Sequence, residues 1–561
     1  MSVGSSPQAA MRFEAQASWV PMIAIALGQS LMSFNVASLP VALSGMVESF
    51  RVPPTTVATG IVMYSMAVAG FVMLGAKLNQ RFGALQVFRI VIAVFGLAQV
   101  VMTFSLNATM MLAAQAACGA AGAALVPSLV ALIAENYRGT QQATALGALG
   151  SARAGAGVAA FIIGGVLGTY IGWRPAFGFL IALSALVFLL SFRLRPDAGR
   201  PDVRIDLVGV ALAASAIILI VFGFNNLNSW GLGVAQPAAP FNLFGFSPAP
   251  VLIVLGIILG QAFLSWTRRR ERERKTPLLA LAVIDSRKER AAVYALFAVV
   301  ALEAMLNFSV PLYIQIVQGR SPLATAVAMM PFNLSVFFSA MLIVRFYSKL
   351  NPRQIGRFGF ILCTVALLWL AYVVRNDWSE LPVLIGLVVF GIGQGSLVTL
   401  LFNVLVTSSP KELAGDVGSL RGTTQNLAAA VGTAVAGALL VGLLSAGIFR
   451  SIAENPLLPP EIQSQVNLDS INFVSNDRLR EAMAKTSASP AQVDEAVRVN
   501  TEARLRALKM GLLIMALVAL LSIIPAAWLP DYHPGDLPAD APEPEARDHR
   551  RAPMTPAPRP S

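Results

Sequence analysis

Apolar runs of about twenty residues recur along this chain from Trp19 to Trp528, and each is long enough to cross a bilayer. Within lipid every backbone N–H and C=O must find a partner inside the protein. Only helices and closed barrels satisfy that demand. Period-2 alternation is absent, so the barrel is excluded and the chain reads as an all-α polytopic membrane protein. Composition agrees, with 56% hydrophobic and only 12% charged residues among 561. Hydropathy predicts roughly fourteen spans. They begin near Trp19, Val57, Val87, Met110, Gln142, Arg174, Leu207, Val251, Ala291, Leu323, Gly356, Leu381, Gly415 and Leu508. The first run is too long for a signal-peptide core and lacks a small-x-small cleavage site, so it reads as an uncleaved first helix.

The formal charge of +12 is not spread evenly. Alternate loops carry Lys77, Arg81 and Arg89; Arg138; Arg193 to Arg204; Arg268 to Lys275 with Arg287, Lys288 and Arg290; Arg345 to Arg357; and Lys411. The loop from Asn225 to Pro250 has no charge, and its Trp230 and Phe241 suit an outer interface. This pattern argues against a nucleic-acid partner. The positive-inside rule predicts both termini in the cytoplasm, which for a bacterial chain means an inner-membrane protein. The basic string WTRRRERERK reads as a linker touching anionic lipid.

The expected organisation follows from these loops. Residues 1–17 form a cytoplasmic tail, and 18–195 a first bundle of six helices. Residues 196–267 add two helices, and 268–290 are the basic linker. Residues 291–529 form a second six-helix bundle with a long outer loop, 450–506. Residues 530–561, rich in Pro, Asp and Glu, are expected to be disordered. Within the long loop Ser489-Pro490-Ala491-Gln492 is a capping box, which predicts a helix running into the last span. Weak repetition links the halves: KLN-x-R strings start at Lys77 and Lys349, and Gly147-Ala-Leu-Gly150-Ser151 resembles Gly418-Ser-Leu-Arg421-Gly422. Repeated bundles with a site between them are the architecture of secondary transporters.

The segment from Gln142 to Phe177 is unusually rich in Gly and Ala for a span, which points to close helix contact. Gly157, Gly164, Gly165 and Gly168 are the expected packing positions. Arg153 in the same helix faces either a cavity or, in the plainer reading, a backbone carbonyl. Glu303 is the one carboxylate expected near the midplane, with Asn307 a turn further on the same face. Such a carboxyl can take a proton from one side and release it to the other, or pair with a cationic substrate. The first span carries a polar stripe that includes Gln29, Ser33 and Asn35, and Gln115 belongs to the same half. Tyr313 and Gln315 are expected at the outer end of their helix. Arg421 lies a turn or two inside its helix, so snorkelling to the interface stands beside a place on the pathway. Cys118 and Cys363 read as apolar fillers, with no disulfide or metal site expected. His533 and His549 fall in the tail, which leaves no histidine for an intramembrane proton relay.

Several strings resemble the fourteen-helix drug:proton antiporter branch of the major facilitator superfamily. They are SVPLYIQIVQGRSPLATAVAMMP from Ser309 to Pro331, Asn35-Val36-Ala37 with Leu39-Pro40, Asp206-Leu-Val-Gly209, and Gly164-Gly165 followed by Gly172-Trp173-Arg174. The resemblance implies two six-helix bundles plus two additional central helices. It also implies efflux of small amphipathic organic compounds against protons, and gating by the loop of Gln80, Arg81 and Gly83. The chain departs from the family pattern at charged positions. Ser33 and Phe34 stand near the usual first-helix aspartate, and Gln80 aligns with the usual loop aspartate. Gln115 and Cys118 align with an arginine and a glutamine, and Ala160 and Phe161 with a Gly-Pro pair. Coupling through other residues, such as Glu303, is then expected.

No cofactor is expected, and no GxxxxGK nucleotide loop is present, which argues against an ATP-driven pump. A monomer is expected; the sequence does not specify a periplasmic adaptor. Two alternatives to proton-coupled efflux remain: a passive or differently coupled carrier, including an importer, and a non-transporting scaffold or sensor.

Overall fold

The computed structural model describes residues 18–137, 139–195, 198–242, 244–346, 349–375, 380–407, 414–453, 476–484 and 488–531. The two tails with His533 and His549, together with Arg138, Lys411 and much of the 450–506 loop, lie outside the described residues. Among the described residues, 14 helices are long and apolar enough to cross a membrane. We label α1 Val20–Val41, α2 Leu43–Phe50, α3 Pro54–Phe82, α4 Ala84–Thr103, α5 Ala108–Asn136, α6 Gly139–Tyr170 and α7 Arg174–Leu190. Then follow α8 Leu207–Trp230, α9 Pro248–Arg272, α10 Arg287–Leu312, α11 Pro322–Leu342, α12 Pro352–Val373, α13 Glu380–Thr407 and α14 Ala414–Ala453. The terminal helix spans Pro490–Leu521. Its start is the expected capping box: Ser489 Oγ accepts from Gln492 N at 3.4 Å, and Gln492 Oε1 accepts from Ser489 N at 2.8 Å.

Neighbour relations repeat between the halves. α1 packs on α6 as α10 packs on α14, and α3 packs on α5 as α11 packs on α13. α4 packs on α5 and α7 as α12 packs on α13 and the terminal helix. The result is two six-helix bundles. Within the first, α3 and α5 touch backbone to backbone, because a β-carbon at Gly119 would collide with the Tyr64 carbonyl and one at Gly75 with that of Ala123. Lipid offers helices no hydrophobic drive to associate, so this close fit is what holds the pair together.

Two seams join the bundles, α3 with α14 and α6 with α11. The additional pair α8–α9 covers the first of these, with Ile217 and Val221 of α8 packed among Val62, Ala69, Ala430 and Ala434. The end of the molecule bearing Arg81 and Arg268–Lys275 is called the basic face below, and the end bearing the 231–247 loop the neutral face.

Candidate transport site

Two sets of polar side chains lie within the apolar helices, and they differ in kind. The first is neutral and sits inside the first bundle. Asn35 Nδ2 donates to Gln115 Oε1 at 2.9 Å, while Gln99 Nε2 donates to Asn35 Oδ1 at 2.8 Å and to Cys118 Sγ at 3.3 Å. Asn35, Gln99 and Gln115 are each 0% exposed. The amides of α1, α4 and α5 therefore bind one another and are closed off from the space between the bundles. The sequence reading expected Asn35 and Gln115 on a pathway; in the structure they are enclosed within the first bundle. Gln29 and Ser33 lie on another face of α1, half-buried and hydrogen-bonded to each other at 3.1 Å.

The second set is charged and bridges the bundles. Glu303 falls at the middle of the span Arg287–Val317. Its Oε2 accepts from Gln394 Nε2 of α13 at 2.5 Å. Arg153 of α6 lies within electrostatic range of it. With the Gln425 amide turned so that its oxygen faces α6, that oxygen accepts from Arg153 Nη1 at 3.0 Å and Nη2 at 2.8 Å. One arginine of the first bundle is thus tied to α14 and drawn electrostatically to α10. Arg421 lies one turn before Gln425 on the same face of α14, half-buried. Its guanidinium carbon stands 3.8 Å above the Phe402 ring, and its Nε is buried without a partner. Asn307, a turn beyond Glu303, is half-buried with an unpartnered Oδ1.

The seams around this set differ at their two ends. At the neutral face they are closed. Pro40 lies inside α1. The Pro40 carbonyl accepts from Gln315 Nε2 at 2.9 Å, and Gln315 Oε1 accepts from Ser44 N at 2.9 Å. Gln315 sits in a π-helical turn, Tyr313–Val317, a local widening that often marks functional positions. Tyr313 donates to the Arg375 carbonyl at 3.0 Å, which anchors that turn within its own bundle. Thr169 Oγ1 accepts from Leu323 N at 3.1 Å across the α6–α11 seam. A β-carbon at Gly165 would come within 2.8 Å of Ala326 Cβ, and one at Gly168 within 3.2 Å of Pro322 Cβ.

Toward the basic face the α6 side is open. A β-carbon at Gly150, Gly155 or Gly157 on α6, or at Gly418 on α14, would meet nothing within 4 Å. Gly157 is therefore not part of the packing seam expected for it: a β-carbon there would touch no neighbouring helix. Gly164 makes only ordinary contact, 3.6 Å from Val41 on α1, so the expected Gly164–Gly168 stripe is split between two neighbours. On the α3–α14 side the bundles stay joined, with Lys77 Nζ 3.9 Å from Asp416 Oδ1. The adjoining loop is braced by the chain. Gln80 O accepts from Arg200 N at 2.8 Å, Arg81 lies 5.5 Å from the Phe82 ring, and Gly83 turns the chain at φ +90°.

The sequence reading missed Gln99, Gln394, Gln425 and the Lys77–Asp416 pair. Gln394 and Gln425 carry the same signal as Glu303, a polar residue within an apolar span, but more weakly because an amide costs less to bury. Ion pairing between residues so far apart leaves no local trace. A small cavity lined by Met305, Ser309, Leu440 and Met515 lies between α10, α14 and the terminal helix, and no charged group lines it.

Known proteins resemble this chain in sequence and in architecture. Residues 25–433 match the model of the family described as the Major Facilitator Superfamily. The chain is 26% identical over 432 residues to a tetracenomycin C resistance and export protein of Streptomyces glaucescens, covering 75% of this chain and 76% of that one. It is 24% identical over 447 residues to a multidrug efflux pump of Mycolicibacterium smegmatis, covering 79% and 84%. Among solved structures it resembles a bacterial homologue of the human lysosomal transporter Spinster in an inward-facing, unoccupied conformation. That match has a TM-score of 0.56 and 14% identity, covering 90% of this chain and 96% of that one, a likeness of fold alone.

Proposed function

This chain belongs to the Major Facilitator Superfamily, and we propose that it exports amphipathic organic compounds by alternating access, driven by the proton gradient. The observation that carries this reading is Glu303. It is a mid-span carboxylate held by Gln394 and within range of Arg153 of the opposite bundle, beside a space closed toward one face and open toward the other. A group so located can exchange a proton with either side as the bundles rock, and its charge then alters the ties that hold Arg153. Export is the direction that the printed names of the relatives support.

The basic face is the cytoplasmic one in this reading, with both termini inside. Reporter fusions at Arg272 and after Trp528 should then report cytoplasm, and one at Phe241 the outside. The functional test is accumulation of a fluorescent amphiphile in cells with and without the protein. Cells with it should accumulate less, and collapsing the proton gradient should abolish the difference. Equal accumulation in both would contradict export. A difference that survives collapse of the gradient would point to a differently coupled carrier.

A further inference from the structure

α6 and α14 hold equivalent positions in the two bundles, and each carries the same short pattern. Gly150-Ser151-Ala152-Arg153 lies on α6 and Gly418-Ser419-Leu420-Arg421 on α14. The patterns sit at like depth, close to the basic-face ends of the spans Ala148–Tyr170 and Gly415–Gly447. In each, the glycine three residues before the arginine borders open space. Residues three or four apart share a helix face, so the arginines point toward the same side as those glycines. Gln425, one turn beyond Arg421, confirms this for α14, because it reaches Arg153 across the gap.

The two arginines are not equally satisfied. Arg153 has Gln425 and the nearby charge of Glu303. Arg421 has the Phe402 ring and a buried, unpartnered Nε, and the charge it senses is the like charge of Arg153. Among the described residues no carboxylate pairs with it. Arginine does not shed its proton in proteins, so neutralisation from within is closed to it. Arg421 is half-buried and Arg153 exposed, so neither charge is fully dehydrated, but a half-buried cation with no anion and a second cation nearby is still unfavourable. Among the described residues, Arg153 and Arg421 thus bring two permanent cations together, with Glu303 the one carboxylate within range of Arg153.

We propose that Arg421 and Arg153 form an anion-binding site and that the transported compound is an amphipathic organic anion. Its carboxylate, sulfonate or phenolate lies against the Arg421 guanidinium, whose planar fork matches such groups. Its apolar body lies toward Phe402. The proposal rests on the inter-bundle space being the transport path, as argued above, and is independent of the proton step at Glu303. An anion leaving a compartment of negative interior potential is also driven outward by that potential.

The test uses the full-length protein in phosphatidylcholine nanodiscs and three probes with one naphthalene ring: an acetate, an acetamide and an ethylammonium. The acetate should bind at least ten-fold tighter than the other two. Arg421→Gln should remove that preference and Arg421→Lys retain part of it, with thermal unfolding of each variant as the control for folding. Equal affinities, a preference for the ammonium, or an unchanged preference in Arg421→Gln would overturn the proposal. A phospholipid headgroup offers the same anionic chemistry, so binding is repeated with phosphatidylglycerol included. Undiminished acetate binding supports a soluble anion, and its loss would assign the site to lipid and overturn the proposal. Transport of the ammonium probe without any anion preference would leave the export reading standing and remove this one. Anion preference without transport of any probe would retain the site and remove the export reading.

Discussion

The neutral cluster of the first bundle is fully buried, whereas the charged set between the bundles is half-buried at Glu303 and Arg421 and exposed at Arg153, and the two sets are built differently. Asn35, Gln99 and Gln115 come from three helices of one bundle and bind one another, leaving only Gln99 Oε1 of the three amides without a partner. A buried amide bonded to other amides adds definition to a core and has little left to offer a ligand. Glu303, Arg153 and Arg421 come from both bundles, carry full charges, and leave hydrogen-bonding capacity unused. Their ties must change if the bundles move against each other. In the proposed reading, the difference separates a fastening from a working part.

Substitutions can break or sharpen that distinction. The largest effect is expected from Arg153→Ala, which strips Gln425 and Glu303 of their partner in the other bundle. Transport should fall at least ten-fold, and Arg153→Lys should retain part of it because the charge stays and the planar fork is lost. Wild-type rates in both variants would remove Arg153 from the working set. Next comes Gly165→Leu at the closed neutral-face seam. Its side chain must part α6 from α11, an overpacking cost of about 1–3 kcal/mol. Transport measured per folded molecule should drop, and an unchanged rate would contradict closure there. Asn35→Leu should act on the fold instead. Leaving Gln99 and Gln115 short of partners costs about 1–3 kcal/mol, so the unfolding temperature should fall while KM stays unchanged. A large shift in KM would return Asn35 to the pathway. The smallest effect is expected from Gly157→Ala, whose added methyl meets open space; stability should stay within about 0.5 kcal/mol of the parent.

The spans were legible in the sequence because hydropathy is a local property, summed along one helix without reference to its neighbours. Glu303 and Arg153 were legible for a related reason, since a lone charge in an apolar run stands out wherever the helix ends up. Facing was not legible. Asn35 and Glu303 look alike in sequence, each polar in an apolar span, and only packing decides that one is enclosed by α4 and α5 while the other looks across to α6. The same limit separates Gly157 from Gly165, two glycines in one helix, one beside open space and one pressed against α11. Partners distant in the chain, such as Lys77 with Asp416 and Gln315 with Pro40, follow from how the bundles meet and not from any local pattern.

The central claim is that Glu303 links the charged set to the proton gradient, and Glu303→Gln tests it most directly because shape is kept and titration removed. The measurement is uptake of an amphipathic substrate into proteoliposomes under an imposed pH gradient, with binding and thermal unfolding recorded on the same preparations. The account predicts that Glu303→Gln folds and binds substrate like the parent but accumulates it no further than it does without the gradient. Gradient-driven accumulation at the parental rate in Glu303→Gln would contradict it.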